Sequence, residues 1–398
     1  MERTEEGLEK KIFADIEAGL EKLAAKGQFR SLTALPACGG KFFRDGKVFL
    51  NFSSNDYLDL AGDPRVKGAA LAAVEQWGCG SAGSRLMCGH LALHEALEKI
   101  LAELLDTESA LVFGSGFLTN LGAISALAGP GDMVLFDRLD HASLIDGIRL
   151  SGARWQRFRH NDTQELRRLL EAHGKGEGRL FIVVDSVFSM DGDIAPLAEI
   201  HSLADAFGAF LMVDEAHAIG VFGPCGGGIC RDLGIRADLI TGTFSKSLGG
   251  YGGFAACSAR VREWLINRAR PFIFSTALPP ASAAAAHKAV EILFAQPDQG
   301  KTLLDNSRFF HGLLAQKEMK LLPFASQIVP ILVGENERAV ALAAELENAG
   351  LYVKAIRPPT VPPGTARLRL SVTLAHDRGD LAQTAERIVS EARRLGVL

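Results

Sequence analysis

The chemistry-bearing residues sit just past short apolar runs. Phe210-Leu211-Met212-Val213 leads into Asp214, Glu215 and His217, and Thr241-Gly242-Thr243 leads into Ser245 and Lys246. Ala110–Phe113 is followed by Gly114-Ser115-Gly116-Phe117, and Met133–Phe136 by Asp137, His141 and Ser143. In an open α/β sheet, ligands bind beyond the carboxyl ends of the strands, so four such segments can share one crevice. A lysine in a desolvated pocket loses its proton more readily and can form a Schiff base with an aldehyde. Asp214, on a neighbouring strand, can keep a pyridine nitrogen protonated; at ~3 Å that pair gains on the order of several kcal/mol even at an effective dielectric of about 20. A protonated ring is the electron sink that carbanion chemistry needs. The amides of Gly116 and Phe117 at a helix start suit a phosphate dianion, and Thr243 and Ser245 can add hydroxyl donors. His141 offers a flat ring to stack on a cofactor, and His217 can bond a phenolic oxygen. Taken singly, each segment has an ordinary explanation as a helix cap, a surface lysine, a structural histidine or a turn. Their joint occurrence in this chain order points to pyridoxal phosphate.

These residues need a rigid frame. From about residue 65 to 290 the sequence alternates helix-period stretches (Arg65–Trp77, Ala92–Leu105, Pro196–Phe207) with apolar runs of a few residues. The runs are Ala110–Phe113, Met133–Phe136, Leu180–Val184, Phe210–Val213, Leu239–Thr241 and Phe254–Cys257. Continuous apolar runs are the mark of strands buried on both faces, which predicts an α/β domain with a mostly parallel sheet. In Gly114-Ser115-Gly116-Phe117 we read a turn, with a helix beginning at Asn120. Before this domain, Leu8, Ile12, Ile16, Leu20 and Leu23 predict an amphipathic helix. A turn region at Cys38–Asp45 and an extended segment, Val48–Phe52, follow it. After it, Ile328–Val333, a helix from about Glu337 to Asn348 closed by Gly350, Tyr352–Ile356, a turn at Pro358–Pro363, Ala366–Val372 and a last helix from about Gly379 predict a smaller α+β lobe. The expected division is therefore an N-terminal helix and arm over 1–50, a large cofactor domain over 51–290 and a small C-terminal domain over 291–398.

Gly78-Cys79-Gly80-Ser81-Ala82-Gly83 fits G-x-G-x-x-G, but it follows a predicted helix where a dinucleotide site requires a strand. We read it as a glycine-rich substrate loop and set the nicotinamide reading aside. With 398 residues, 47% hydrophobic and 23% charged, the chain has the composition of a globular protein of two packed lobes. Its net charge of −4 gives no reason to expect nucleic acid or an anionic membrane as partner. Cys38, Cys79, Cys88, Cys225, Cys230 and Cys257 show no metal-binding spacing and are expected to be reduced thiols. The N-terminus lacks a signal-peptide pattern and no apolar run is long enough to span a bilayer; a cytoplasmic location and no bound metal are expected.

Asn51-Phe52-Ser53-Ser54-Asn55-Asp56-Tyr57-Leu58, Val187-Phe188-Ser189-Met190-Asp191-Gly192 and Thr243-Phe244-Ser245-Lys246 resemble signature stretches of the α-oxoamine synthase family. These are pyridoxal-phosphate enzymes of the aspartate-aminotransferase fold that join an amino acid to an acyl thioester with loss of carbon dioxide. The likeness runs from about Asn51 to Ala375. It implies that Lys246 is the Schiff-base lysine, that Asp214 pairs with the pyridinium and that His141 stacks on the ring. It likewise implies that His217 and Ser189 contact the cofactor and that Gly116, Phe117 and Thr243 hold its phosphate. Arg369 is similar to the arginine that grips the substrate carboxylate, and Arg30, Asn55, Arg357 and Thr360 match substrate-contacting positions, as does His141. The turn Ala355–Leu370 resembles the biotin-pathway branch, which implies L-alanine and a pimeloyl thioester, carried on acyl carrier protein or coenzyme A. A sister synthase using glycine or serine is the alternative. The family likeness also implies a homodimer in which Ser275-Thr276 reaches the neighbour's phosphate. Two positions depart from the pattern: Asp59 and Ala218 stand where glycine is common.

Overall fold

The computed structural model describes residues 5–37, 39–174 and 176–398, with side chains from residue 11 onward. At its centre lies a seven-stranded sheet. In spatial order its strands are Ser109–Phe113, Gly253–Cys257, Leu239–Thr243, Phe210–Asp214, Leu180–Asp185, Met133–Asp137 and Arg154–Phe158. Only Gly253–Cys257 runs against its neighbours; the other pairings are parallel. The mostly parallel sheet expected from the sequence is therefore present.

The apolar runs are continuous because each strand feeds two cores. Ile182 and Val184 face one and Phe181 and Val183 the other, as side chains alternate across the pleat. Arg154–Phe158 escaped the sequence reading because it is an edge strand of polar, mostly exposed residues. The parallel topology brings the carboxyl ends of six strands to one rim: Phe113, Asp137, Phe158, Asp185, Asp214 and Thr243.

The helix after Phe113 spans Gly116–Leu127, so it begins four residues before the expected Asn120. Ser115 is its N-cap and accepts from the Leu118 amide at 3.1 Å. The earlier start matters, because it makes Gly116 and Phe117 the first residues of the helix. The strand Gly253–Cys257 passes directly beneath, and a Cβ on Gly253 would stand 2.5 Å from the Gly116 nitrogen. Only glycine lets the backbones approach that closely.

Two three-stranded sheets flank the main one. Ile328–Gly334, Ala366–Ser371 and Ala355–Ile356 form an antiparallel sheet. Lys41–Arg44 and Lys47–Asn51 form a hairpin, with Leu351–Tyr352 added in parallel. The expected turn at Cys38–Asp45 is thus mostly strand. Asp45 and Gly46, at φ 51° and 75°, close the hairpin as an Asp-Gly turn requires. The predicted stretch Tyr352–Ile356 is split between the two sheets, which ties the arm to the C-terminal part of the chain.

The N-terminal helix forms over Glu5–Ala25. Leu8 has no described side chain, and the described apolar residues Ile12, Phe13, Ile16, Leu20 and Leu23 are all exposed. The helix Pro280–Ala295 packs on the helices Pro64–Trp77 and Ala92–Leu105. Position 290 lies inside it, and we propose the turn at Gln296–Asp298 as the place where the large unit gives way to the smaller. The next helix, Gln299–Gln316, packs instead on the last one, Arg378–Arg394. Asp59 sits at φ 56°, which explains why a glycine suits that position. Cys38 lies outside the described residues; the other five cysteines are unpaired. Among the described residues no helix is long and apolar enough to cross a membrane, and no cluster of side chains is arranged to hold a metal.

Candidate active site

The rim of strand ends encloses a cavity of about 270 Å³. Lys246, Asp214, His141, His217, Ser189, Asn55, Thr243, Gly116 and Phe117 all line it, although they come from six separate stretches of chain.

Asp214 ends its strand buried, and its carboxylate is fixed on both oxygens. Oδ2 accepts from Asn120 Nδ2 at 2.6 Å and Oδ1 from the Ala216 amide at 2.8 Å. Asn120 is oriented in turn by Thr241, whose hydroxyl donates to Oδ1 at 2.8 Å, and by Ser143 at 2.9 Å. This network holds the carboxylate at one angle. Asn120, Ser143 and Asp185 also line the cavity, and none was singled out from sequence as an Asp214 partner. Asp185 carried a usable signal, a carboxylate at a strand end like Asp214.

Lys246 is half-buried and faces the cavity. Burial pulls its pKa down to about 8 against the pull of Asp214 and Asp185, and the Arg369 charge adds to the lowering. More of the amine is therefore neutral near neutral pH than in an ordinary lysine, and the neutral form is the one that attacks an aldehyde. Asp185 accepts from the His141 amide at 2.7 Å. Its pKa is pushed well above the usual carboxylate range by burial first and by the charge of Asp214 second.

His141 caps the helix Ala142–Ser151 and holds its ring edge-on to Phe117, with centroids 6.4 Å apart. Its pKa is lowered, mainly by burial. His217 is buried, and its Nδ1 lies 2.7 Å from the Tyr57 hydroxyl. Burial, then the charges of Lys246, Arg369 and His141, hold its pKa well below the ordinary value, so the ring is neutral.

At the other end of the cavity the amides of Gly116 and Phe117 open the helix Gly116–Leu127. The first amides of a helix have no intrahelical acceptor and suit an anion. Of the two hydroxyls expected there, Ser245 is exposed to the cavity. Thr243 is buried, and its hydroxyl lies 2.8 Å from the Gly252 carbonyl, bracing the turn that carries Lys246.

The substrate-contacting candidates divide. Arg369 is buried behind the cavity wall; its guanidinium donates to Asn55 Oδ1 at 3.0 Å, Ser371 Oγ at 2.8 Å and the Tyr57 oxygen at 3.2 Å, and to the Ser189 carbonyl. Asn55 and Ser189 carry it to the cavity. Arg30, Thr360 and Arg357 form a separate group: Arg30 donates to Thr360 Oγ1 at 3.2 Å, and Arg357 binds the Gly27 carbonyl. None of the three lines the cavity.

The residues present fit pyridoxal phosphate. An amine suited to its aldehyde, a fixed carboxylate suited to its pyridine nitrogen, a neutral imidazole suited to its phenolic oxygen and a helix start suited to its phosphate line one cavity.

The sequence pattern of the family Aminotransferase class I and II matches residues 47–388. The chain belongs to this family. Among curated relatives, the 8-amino-7-oxononanoate synthase of Geobacter sulfurreducens is 45% identical over 386 residues, covering 95% of this chain and 98% of that one. Among solved structures, a serine palmitoyltransferase from S. paucimobilis with bound PLP–myriocin superposes with a TM-score of 0.91 at 33% identity, covering 98% of this chain and 99% of that one. An 8-amino-7-oxononanoate synthase from Francisella tularensis superposes with a TM-score of 0.75 at 29% identity, covering 87% and 98%.

Proposed function

We propose that the chain catalyses the decarboxylative condensation of L-alanine with a pimeloyl thioester, giving 8-amino-7-oxononanoate, with pyridoxal phosphate held by Lys246. The observation that carries this reading is that Lys246, with its lowered pKa, and the doubly fixed Asp214 share one cavity with a helix N-terminus. When bound, pyridoxal phosphate supplies the electron sink for the carbanion at the substrate Cα. Asp214 holds the proton on the ring nitrogen, and His217 donates to the phenolic oxygen. Gly116, Phe117 and Thr243 bind the phosphate, with Ser245 as a further hydroxyl donor, and His141 covers the ring. Arg369, with Asn55, orients the alanine carboxylate. The Lys246 amine takes the α-proton as general base; a pKa of about 8 suits that task near neutral pH. The substrate Cα is joined to the acyl carbon with expulsion of the thiol and loss of carbon dioxide, and Lys246, carrying the proton it took, returns one to Cα to complete the amino ketone.

The substrate assignment rests on the 45% identity to a curated synthase of that name and on the Ala355–Leu370 turn. The backbone favours a second reading, since the serine palmitoyltransferase superposes better than the Francisella synthase. A sister synthase acting on serine or glycine is that alternative. The natural acyl carrier, coenzyme A or acyl carrier protein, belongs to the same proposal. So do a cytoplasmic location and a homodimer in which Ser275-Thr276 reaches the neighbour's phosphate. Phe274, beside that pair, exposes 71% of its surface. Mass spectrometry of products from alanine with pimeloyl-CoA, beside glycine with acetyl-CoA and serine with palmitoyl-CoA, separates the readings. Product from the first mixture alone supports the assignment; turnover confined to either of the others overturns it.

A further inference from the structure

The hydroxyl of Tyr57 stands where three functional side chains meet, although nothing in the chemistry above uses it. Tyr57 is fully buried. Its oxygen receives Arg369 Nη2 at 3.2 Å and lies 2.7 Å from His217 Nδ1 and 3.2 Å from Asn55 Oδ1. Gln327 and Ser371 also bear on the phenol oxygen. Burial raises the phenol pKa more than Arg369 lowers it, so the O–H keeps its proton.

That proton has two acceptors within reach. Asn55 Oδ1 is the more distant and already accepts from Arg369 Nη1 at 3.0 Å. His217 Nδ1 is nearer, and as part of a neutral ring it is an acceptor whenever Nε2 carries the hydrogen. The Gln327 side chain donates to the His217 carbonyl at 2.8 Å and fixes the backbone beneath the ring. His217 also lines the cavity.

We propose that Tyr57 is a positioning residue: its hydroxyl donates to His217 Nδ1, leaves the imidazole hydrogen on Nε2 as a donor into the cavity, and ties that tautomer to Arg369. Two ends of the site are thereby linked through one oxygen. Arg369 donates to Tyr57, Tyr57 donates to His217, and His217 donates toward the ligand. A shift of the guanidinium toward a substrate carboxylate removes one donor from the Tyr57 oxygen and weakens the chain at its far end. The inference rests on the reading that the cavity takes pyridoxal phosphate, but the tautomer of His217 is a property of the protein alone.

The test uses holoenzyme labelled with ¹⁵N-histidine, the His217 signals being assigned by their loss in His217→Gln. The wild type is expected to show a protonated Nε2 and an unprotonated, hydrogen-bonded Nδ1. Tyr57→Phe keeps the ring and removes only the hydroxyl. In that variant the Nδ1 signal is expected to lose its hydrogen-bond shift or to average with the other tautomer. The midpoint of the cofactor's visible absorbance against pH should move, and the KM for alanine should rise about tenfold, the size of one buried hydrogen bond. A wild-type His217 with its hydrogen on Nδ1 overturns the proposal even if the variant fails to fold. Wild-type nitrogen shifts and an unmoved absorbance midpoint in a folded Tyr57→Phe overturn it too. Wild-type protein that binds no pyridoxal phosphate sinks the functional reading instead, while the nitrogen shifts still report the tautomer.

Discussion

The two walls of the cavity are assembled from different distances along the chain. Behind Asp214, the supporting groups Asn120, Ser143 and Thr241 belong to the large sheet or to the helices that follow its strands, and Ala216 to the turn just past the strand of Asp214. Behind Arg369, the partners Asn55 and Tyr57 lie 314 and 312 positions away, and the Ser189 carbonyl 180 away. The first wall needs only the large sheet, the turn after Asp214 and the two helices that carry Asn120 and Ser143. The second exists only when the N-terminal segment, the loop after Asp185 and the small antiparallel sheet close on one another. This contrast suggests that the first wall carries the chemistry and the second the choice of substrate.

The sharpest attack on the first wall is Lys246→Ala. Turnover is expected to fall by about 10⁴-fold or more, because both the covalent anchor and the general base are lost. The cofactor should no longer be fixed by borohydride; an active variant would end the assignment. Asp214→Asn keeps the shape and removes the charge. It is expected to cost about 10²–10³-fold in kcat with an unchanged circular dichroism spectrum. A wild-type rate would show that the pyridinium is not held by this carboxylate.

On the second wall, Arg369→Lys retains a charge but loses the planar fork. The KM for alanine is expected to rise by about 10- to 100-fold, with cofactor affinity unchanged in a spectroscopic titration. Loss of cofactor affinity in parallel would erase the distinction between the walls.

The smallest effect concerns the loop that joins them. His160 lies between Asp137 at 3.1 Å and Asp193 at 2.7 Å and so ties the Ser189 loop to the sheet. Burial works against its charge, but the two carboxylates prevail and raise its pKa from 6.5 to about 9. A group with a raised folded-state pKa stabilises fully below its unfolded value and loses that contribution as pH climbs through the folded one. The bridge should therefore stabilise below about pH 6.5 and be lost by about pH 9, by on the order of 2–3 kcal/mol. Urea unfolding of wild type against His160→Asn across that range measures it, and parallel curves would refute the charged bridge.

The first wall was legible in sequence because its signals are local. An apolar run that stops at a carboxylate or a lysine marks both a strand and the group at its end. Asn120 was missed because it sits one turn inside a helix that begins earlier than the composition of Gly114-Ser115-Gly116 suggested. The hairpin at Asp45-Gly46 was overlooked although the dipeptide is a strong turn signal, since Cys38–Asp45 as a whole looked like a loop. Arg30, Arg357 and Thr360 came from resemblance, and the structure gathers them beside one another yet away from the cavity.

Sequence alone determined the parallel sheet and the lysine and acid beyond its strand ends, because periodicity and residue type are properties of neighbours in the chain. Tertiary structure decided the partners of Tyr57, the burial that lowers the pKa of Lys246, the helix start at Gly116, and which candidate arginine is joined to the cavity-lining residues Asn55 and Ser189. Those depend on which distant segments exclude water from one another, and desolvation has no counterpart in a linear pattern.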